Sequence, residues 1–127
     1  MTTDFDQEQY LSLSTRKRSG ETVATPVWFA ALDGRYYVFT AGNSGKVKRL
    51  RNFTEASIAP CSFNGTLSGA WIDAEARLID DSDVIDRAHL ELRNKYGWQM
   101  WIADVGAKLT GRYDKRAYIE ISLTQPA

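Results

Sequence analysis

The feature that most limits how this sequence can fold is a series of short stretches rich in β-branched and aromatic residues. Glycine-containing turns separate these stretches. Residues 35–40 read RYYVFT and follow Asp33-Gly34, a dipeptide typical of two-residue hairpins. Asn64-Gly65 is a second hairpin signal and predicts a type I′ turn. Since strands joined by such short turns are antiparallel neighbours, the sequence predicts a mostly antiparallel sheet.

Alternating apolar and polar residues predict six strands. The strands cover residues 10–18, 22–32, 35–40, 56–63, 67–79 and 117–123. We expect the first three to form a meander, the simplest antiparallel arrangement. Pro26 falls within the second strand, and because proline cannot donate to a strand ladder we expect it at a sheet edge, a bulge or a bend.

Three segments are expected to be helical: the first two have apolar residues at helical spacing, and the third is apolar on several sides. The segments are residues 46–52, 81–96 and 98–109. Ser44 or Asn43 would cap the first helix, Ser82 would cap the second, and Gly97 would end the second. Residues 2–9 are expected to form a short helix or an irregular lead-in.

The balance of these elements predicts a mainly β fold. Six strands with short connections are typical of a barrel or a sandwich, with the helices flanking it. The 127 residues contain no internal repeat, low-complexity tract or linker, so we expect a single domain over residues 1–127.

Composition excludes several classes of function. Sixteen Lys and Arg residues balance sixteen Asp and Glu residues, so no net charge attracts nucleic acid or a membrane surface. No apolar run approaches the roughly 20 residues that span a bilayer, and the first residues lack the pattern of a secretory signal. The single cysteine, Cys61, excludes an internal disulfide and fits a reducing compartment. We therefore expect a cytoplasmic protein that binds neither nucleic acid nor membrane.

A basic segment is the first candidate site. Residues 40–51 read TAGNSGKVKRLR, which predicts a strand end, a glycine loop and the first turn of a basic helix. Hydroxyls, unpaired backbone amides and cations would converge there, an arrangement that suits a phosphate group. A solvated basic helix face is the alternative, and the segment is not a Walker loop. Arg16, with Lys17, could add charge to the same site, or it could belong to a charged hairpin tip.

Aromatic residues offer a second candidate. The kinked apolar stretch 25–28 could support a flat ring, or it could be an ordinary edge strand. Tyr96, Trp98, Met100 and Trp101 concentrate aromatic and apolar surface. They could line a pocket, cover a dimer contact or pack in the core.

No motif in the sequence supports a hydrolytic or a metal-dependent function. The only histidine, His89, falls within a predicted helix beside core positions, and no GxSxG motif accompanies it. One histidine and one cysteine cannot make a usual zinc site. Asp73 and Glu75 share a strand face without an evident acid–base environment, and Cys61 fits a small core residue. A phosphate anchor with aromatic walls is instead typical of a protein whose cofactor performs the chemistry.

The ordered series of segments resembles the pyridoxamine 5′-phosphate oxidase-like split-barrel flavoproteins, and more narrowly their branch that uses the deazaflavin coenzyme F420. The segments are YLSLSTRKRSGETVATPVWFAALDGRYYVFT, SGKVKRLRN, APCSFNGTLSGAWIDAEARLID and NKYGWQMW, and the similarity covers residues 10–123. The resemblance implies a six-stranded antiparallel split β-barrel with flanking helices. It also implies a homodimer with two cofactor sites at its interface.

The resemblance also implies site residues. The ring of the cofactor would rest against Thr25, Pro26, Val27 and Trp28. The phosphate region would be held by Thr40, Ser44, Lys46, Val47, Lys48 and Arg51, with help from Arg16. Trp98 and Trp101 would cover the ring bound by the partner subunit. Arg49 and Arg51 would complement the longer acidic tail of a deazaflavin.

The implied function is an F420-dependent oxidoreductase that transfers a hydride between the reduced deazaflavin and an electron-poor small molecule. FMN is the alternative cofactor. A protein that binds a flavin, F420 or haem without catalysis is the alternative function. Neither the residues nor the resemblance identify the substrate or the proton donor.

Overall fold

Seven strands form one curled antiparallel sheet in the structure, a computed structural model that describes Phe5 and residues 8–124. The strands are β1 (Tyr10–Arg16), β2 (Thr22–Val27), β3 (Phe29–Leu32), β4 (Arg35–Ala41), β5 (Glu55–Cys61), β6 (Ile72–Ile79) and β7 (Arg116–Leu123). Their order in the sheet is β2-β1-β5-β6-β7-β4-β3, and every neighbouring pair is antiparallel. The prediction of a mainly β split barrel with flanking helices is confirmed.

The curl of the sheet follows from its connectivity. β2 and β3 occupy the two opposite ends of the sheet, yet only Trp28 separates them in the chain. The sheet must therefore bend until its two ends meet at Trp28. The prediction of one strand over residues 22–32 is wrong, and so is the meander, because the chain leaves one ladder and joins the other at this point. Pro26 lies on the end strand β2, which confirms the expected edge position.

The two predicted hairpins differ in outcome. Asp33 and Gly34 join β3 to β4 with φ angles of 54° and 79°, as a type I′ turn requires. Asn64 does not have a positive φ, so the type I′ prediction there is wrong. The Asn64 side chain instead accepts hydrogen bonds from the Ser62 hydroxyl and the Thr66 backbone N–H, which stabilises a different turn.

The strand predicted over residues 67–79 is also shorter than expected. Leu67 makes only an isolated bridge with Cys61, and the ladder of β6 begins at Ile72. Gly69 lies against Pro60, where an added Cβ would come 2.6 Å from the proline ring. The chain is thus held close to β5 here without pairing in its ladder.

Three helices flank the sheet: α1 (Gly45–Asn52), α2 (Ser82–Tyr96) and α3 (Trp98–Leu109); a short 3-10 helix covers Tyr113–Lys115. Ser44 caps α1 as predicted. The cap of α2 is Asp81 rather than Ser82, because the Asp81 carboxylate accepts the backbone N–H groups of residues 83 and 84. Gly97, with a φ of 59°, ends α2 and precedes α3.

Two apolar clusters pack on the sheet. The cluster inside the curl includes Phe5, Leu11, Leu13, Val27, Phe29, Val38, Leu50, Ile58, Ile119 and Ile121. The second cluster packs α2 and α3 against the outer side of β3, β4 and β7, and includes Ala30, Tyr37, Ala88, Leu92, Tyr96, Met100 and Tyr118. Burial of these side chains is the main force that holds the helices to the barrel. None of the described helices is both long enough and apolar enough to cross a membrane.

Candidate functional site

A cleft of about 380 Å³ opens where β2 passes into β3. It lies at the point where the two ends of the sheet meet, with α1 on one side and α3 on another. Its lining residues are Tyr10, Pro26, Val27, Trp28, Phe39, Thr40, Lys46, Phe63 and Ala103. The cleft therefore combines an aromatic wall with a hydroxyl group and a cation.

Trp28 forms the aromatic wall, and two neighbouring rings hold it. The Trp28 ring stacks on Tyr96 with a centroid distance of 4.5 Å and an angle of 11° between the planes. The edge of Phe39 meets Trp28 at 6.3 Å. Because both contacts come from packed elements, Trp28 presents a fixed surface to the cleft.

The hydroxyl of Tyr96 fixes the backbone next to Trp28. It accepts the Phe29 backbone N–H at 2.9 Å and lies within donating distance of the carbonyl oxygens of Gln9, at 2.7 Å, and Phe29, at 3.1 Å. Burial raises the pKa of Tyr96 well above its ordinary value, so the hydroxyl keeps the proton that it donates. Tyr96 thus satisfies backbone groups that the break between β2 and β3 removes from the ladder.

The opposite side of the cleft is the N-terminus of α1. The Thr40 hydroxyl donates to Ser44 Oγ at 3.4 Å, and Ser44 Oγ accepts the Val47 backbone N–H, also at 3.4 Å. A Cβ added to Gly45 would come 2.6 Å from Arg49 Nη1. The glycine therefore lets the Arg49 guanidinium fold back over the first turn of its own helix.

Two cations share this helix end. Burial, and to a smaller extent the nearby Arg49 guanidinium, lower the pKa of Lys46. Arg49 is anchored by its Nε, which donates to the Thr15 hydroxyl at 2.5 Å. Two like charges held together beside unpaired helix amides are unfavourable unless an anion joins them, so this end of the cleft is suited to a phosphate group.

The structure places the remaining basic candidates elsewhere. Lys48 and Arg51 are exposed on α1 and do not line the cleft, and Val47 is buried beneath α1 in the core. Arg16 pairs with Glu55 at 3.2 Å. Its expected help to the anion site would require this pair to open.

Thr25, Trp98 and Trp101 also lie outside the lining of the cleft. Thr25 shares the inward face of β2 with Val27, and its hydroxyl oxygen is buried without a hydrogen-bond partner among the described residues. Trp98 and Trp101 are 69% and 60% exposed on α3. They lie apart from the cleft of their own chain.

Four residues that line the cleft are not among the predicted site residues, and Arg49, which lies beside Lys46, was predicted only as a partner of a cofactor tail. The i, i+3 spacing of Arg49 from Lys46 is the signal that places both residues on one helix face. Tyr10, Phe39, Phe63 and Ala103 come from four different elements or loops. No local pattern connects those four.

A second cavity, of about 540 Å³, lies behind the loop that leads into α1. Its lining residues are Ala41, Gly42, Asn43, Arg112 and Lys115. Gly42 packs directly against this wall, since its N–H donates to the Lys115 carbonyl at 2.8 Å and an added Cβ would come 2.3 Å from that oxygen. Two further cations thus flank the loop that carries Ser44.

His89 has a structural partner. Its Nε2 lies 2.8 Å from the Asp104 carboxylate, which also accepts from Arg116. Within the part of the chain that the structure describes, no cluster of His, Cys, Asp and Glu side chains is arranged to hold a metal ion.

A curled antiparallel sheet whose ends meet at an aromatic residue defines a split β-barrel protein, and the cationic helix terminus that faces this residue makes the cleft suited to an anion. The comparison with known families is in accord. The chain belongs to the pyridoxamine 5′-phosphate oxidase family, whose model matches residues 2–124.

Solved structures share this fold at low sequence identity. A conserved hypothetical protein of Mycobacterium tuberculosis aligns with a TM-score of 0.71 and 19% identity, over 94% of this chain and 76% of that one. The haem storage protein HutZ of Vibrio cholerae aligns with a TM-score of 0.70 and 14% identity, over 94% and 84%. An FAD-binding protein of Mesorhizobium loti aligns with a TM-score of 0.62 and 14% identity, over 95% and 83%. No curated protein matches the sequence.

Proposed function

We propose that this protein is an oxidoreductase that binds coenzyme F420 in the cleft and transfers a hydride between the reduced deazaflavin and an electron-poor small molecule. The observation that carries the proposal is that the Trp28 wall and Lys46 line one cleft, with the Arg49 guanidinium beside Lys46 on α1. A ring-bearing phosphate ester needs both features, and it needs them side by side.

The residues present fit such a group. The N-terminus of α1, with Ser44, Lys46 and Arg49, would hold the phosphate through charge-assisted hydrogen bonds. Pro26 and Trp28 would support the ring, because Pro26 offers no backbone donor and Trp28 is already stacked. When bound, the deazaflavin supplies the hydride chemistry, and the chain orients the ring and excludes water from one of its faces.

The cavity at Arg112 and Lys115 supports F420 over FMN. FMN ends at its phosphate, whereas F420 continues into an acidic tail. The two cations flank the loop that carries Ser44, and they would pair with such an anionic extension. FMN remains the alternative, since it needs only the α1 terminus, and FAD-binding has been described for the Mesorhizobium loti relative.

We further propose that two copies of the chain pair, with the cofactor at their interface. α3 carries an exposed apolar stripe at helical spacing, formed by Trp98, Trp101, Ile102 and Leu109, which are 69%, 60%, 52% and 82% exposed. Exposed aromatic residues in such a stripe are typical of a contact surface. In the pair, Trp98 and Trp101 would cover the ring bound by the other copy. The proposal places the protein in the cytoplasm, where its one thiol, Cys61, stays free.

Two alternative functions involve binding without catalysis, and experiment must distinguish them from the oxidoreductase. A protein that binds the cofactor without turnover would use the same cleft. Haem storage is described for the Vibrio cholerae relative, but His89, the only histidine of this sequence, is bonded to Asp104 and does not line the cleft. A haem would therefore lack a histidine ligand there.

Calorimetric titration with F420, FMN and FAD tests the proposal. We expect F420 to bind in the micromolar range or tighter and FMN to bind more weakly. Reduced F420 would then be oxidised in the presence of one or more of a panel of enones, quinones and biliverdin. Binding without turnover would favour the storage alternative, and the absence of binding by all three cofactors would refute the proposed function.

A further inference from the structure

A buried ion pair lies one layer behind the cleft wall. The Asp104 carboxylate on α3 accepts from Arg116 Nη1 on β7 at 2.7 Å, and His89 Nε2 on α2 lies 2.8 Å from its other oxygen. The side chains of Asp104 and Arg116 are 11% and 8% exposed. Since each charge is costly to bury alone, the pair fixes both side chains in one geometry.

Contacts lead from this pair to the cleft. The Arg116 guanidinium lies over the Phe39 ring, 4.5 Å from its centroid, and Nη2 donates to the Ala103 carbonyl at 3.3 Å. Phe39 in turn meets the edge of Trp28. Phe39, Ala103 and Trp28 all line the cleft, so Arg116 contacts two of its lining residues directly and a third through Phe39.

The orientation of α3 turns its one acidic side chain toward the interior of the protein. Asp104 is the only acidic residue of α3, and it faces the interior, whereas Trp98, Trp101 and Ile102 face outward. An apolar residue at position 104 would pack against α2 and β7 without the cost of burying a charge. A role in positioning the cleft wall accounts for the carboxylate.

We propose that Asp104 is a positioning residue for the cofactor: through Arg116 and Phe39 it sets the orientation of Trp28. The effect on the cofactor rests on the proposed function. The effect on Trp28 does not, because it is a property of the free chain.

Asp104→Asn is the test variant, because the amide keeps the shape of the carboxylate and loses its charge. Glu120→Gln is the matched control: Glu120 accepts from Arg77 at 2.7 Å and is likewise 11% exposed, but it does not line the cleft or contact its wall. Arg116→Lys is a second variant that keeps the charge and removes the planar contact with Phe39.

Two measurements are made on each variant. The first is the emission maximum and acrylamide quenching of Trp28 in the ligand-free chain, with Trp71, Trp98 and Trp101, all exposed, replaced by Phe. The second is the Kd for F420 and FMN in the full chain. We expect Asp104→Asn and Arg116→Lys to shift the Trp28 emission and to raise the Kd of the bound cofactor at least tenfold. We expect Glu120→Gln to leave the Trp28 emission maximum and quenching unchanged. Its Kd for the cofactor should stay within twofold of that of the parent chain.

The outcomes separate the two proposals. An unchanged Trp28 signal in folded Asp104→Asn, or an equal change in Glu120→Gln, would overturn the positioning role. A changed Trp28 signal with an unchanged Kd would overturn its link to the cofactor. If Trp28 responds as expected but the parent chain binds neither cofactor, the positioning of Trp28 is supported and the proposed function fails.

Discussion

Replacing Lys46 by Ala should separate the binding of an anion from the stability of the fold. Lys46 lies at the α1 terminus beside Arg49, and burial and that second cation lower its pKa. A hydrogen bond to a charged group contributes about 1.5–3 kcal/mol. At 1.4 kcal/mol for each factor of ten, loss of Lys46 should raise the cofactor Kd by roughly 10- to 100-fold.

The same substitution should not destabilise the ligand-free protein. A lowered pKa means that the folded chain holds the Lys46 ammonium less favourably than water does, so its removal relieves a cost. We expect Lys46→Ala to leave the free energy of unfolding unchanged or to raise it by up to about 1 kcal/mol, as stabilising substitutions at binding sites do. Lower affinity with equal or greater stability is the expected combination.

The lowered pKa of Lys46 also predicts how the free energy of unfolding changes with pH. The unfolded chain binds a proton at Lys46 up to pH values near 10.5, whereas the folded chain releases it earlier. The free energy of unfolding of the parent should therefore rise relative to that of Lys46→Ala as the pH approaches 10.5 from below. Urea titrations between neutral and alkaline pH measure this difference.

Lys48→Ala is the matched control, since it removes the same charge two positions along α1 from an exposed site outside the cleft. Calorimetry at two salt concentrations gives the Kd of each variant, and the control should stay within about twofold of the parent. Equal losses in Lys46→Ala and Lys48→Ala would mean that only the general charge of the helix matters. No loss in Lys46→Ala would refute the anion site.

Three further predictions follow from the same structure. Tyr96→Phe leaves the Phe29 N–H without its partner, so urea unfolding should show a loss of about 1–3 kcal/mol, with Trp28 fluorescence altered. Replacing both Trp98 and Trp101 by Ala should lower the mass measured by light scattering from dimer to monomer; an unchanged dimer would remove α3 from the interface. Burial raises the pKa of Glu120, but hydrogen bonds from Arg77 and Tyr37 outweigh it and the pKa lies below its ordinary value of 4.5. The stability that Glu120 contributes should be lost, relative to Glu120→Gln, as the pH falls below about 4.5.

Local sequence determined most of the elements. The turn at Asp33-Gly34, the cap at Ser44 and the helix end at Gly97 were all predicted, and the structure has each of them. Such signals act within a few residues, because they depend on allowed φ angles and on short side chains that bond to nearby backbone groups. The misjudged turn at Asn64 shows the limit, since two turn types share the same dipeptide and differ in the bonds made by the asparagine side chain.

The tertiary structure decided how these elements combine into a site. No local sequence signal near Trp28 predicts that the chain passes there from one end of the sheet to the other. The closure of the barrel depends instead on pairing between strands that are distant in the sequence. The basic segment likewise did not show which of its cations face the cleft. Burial of Val47 and Leu50 against the barrel fixes the rotation of α1, which brings Lys46 to the cleft with Arg49 half-buried beside it and leaves Lys48 in solvent. The sequence alone determined that cations and aromatic rings are present, and long-range packing determined which of them meet.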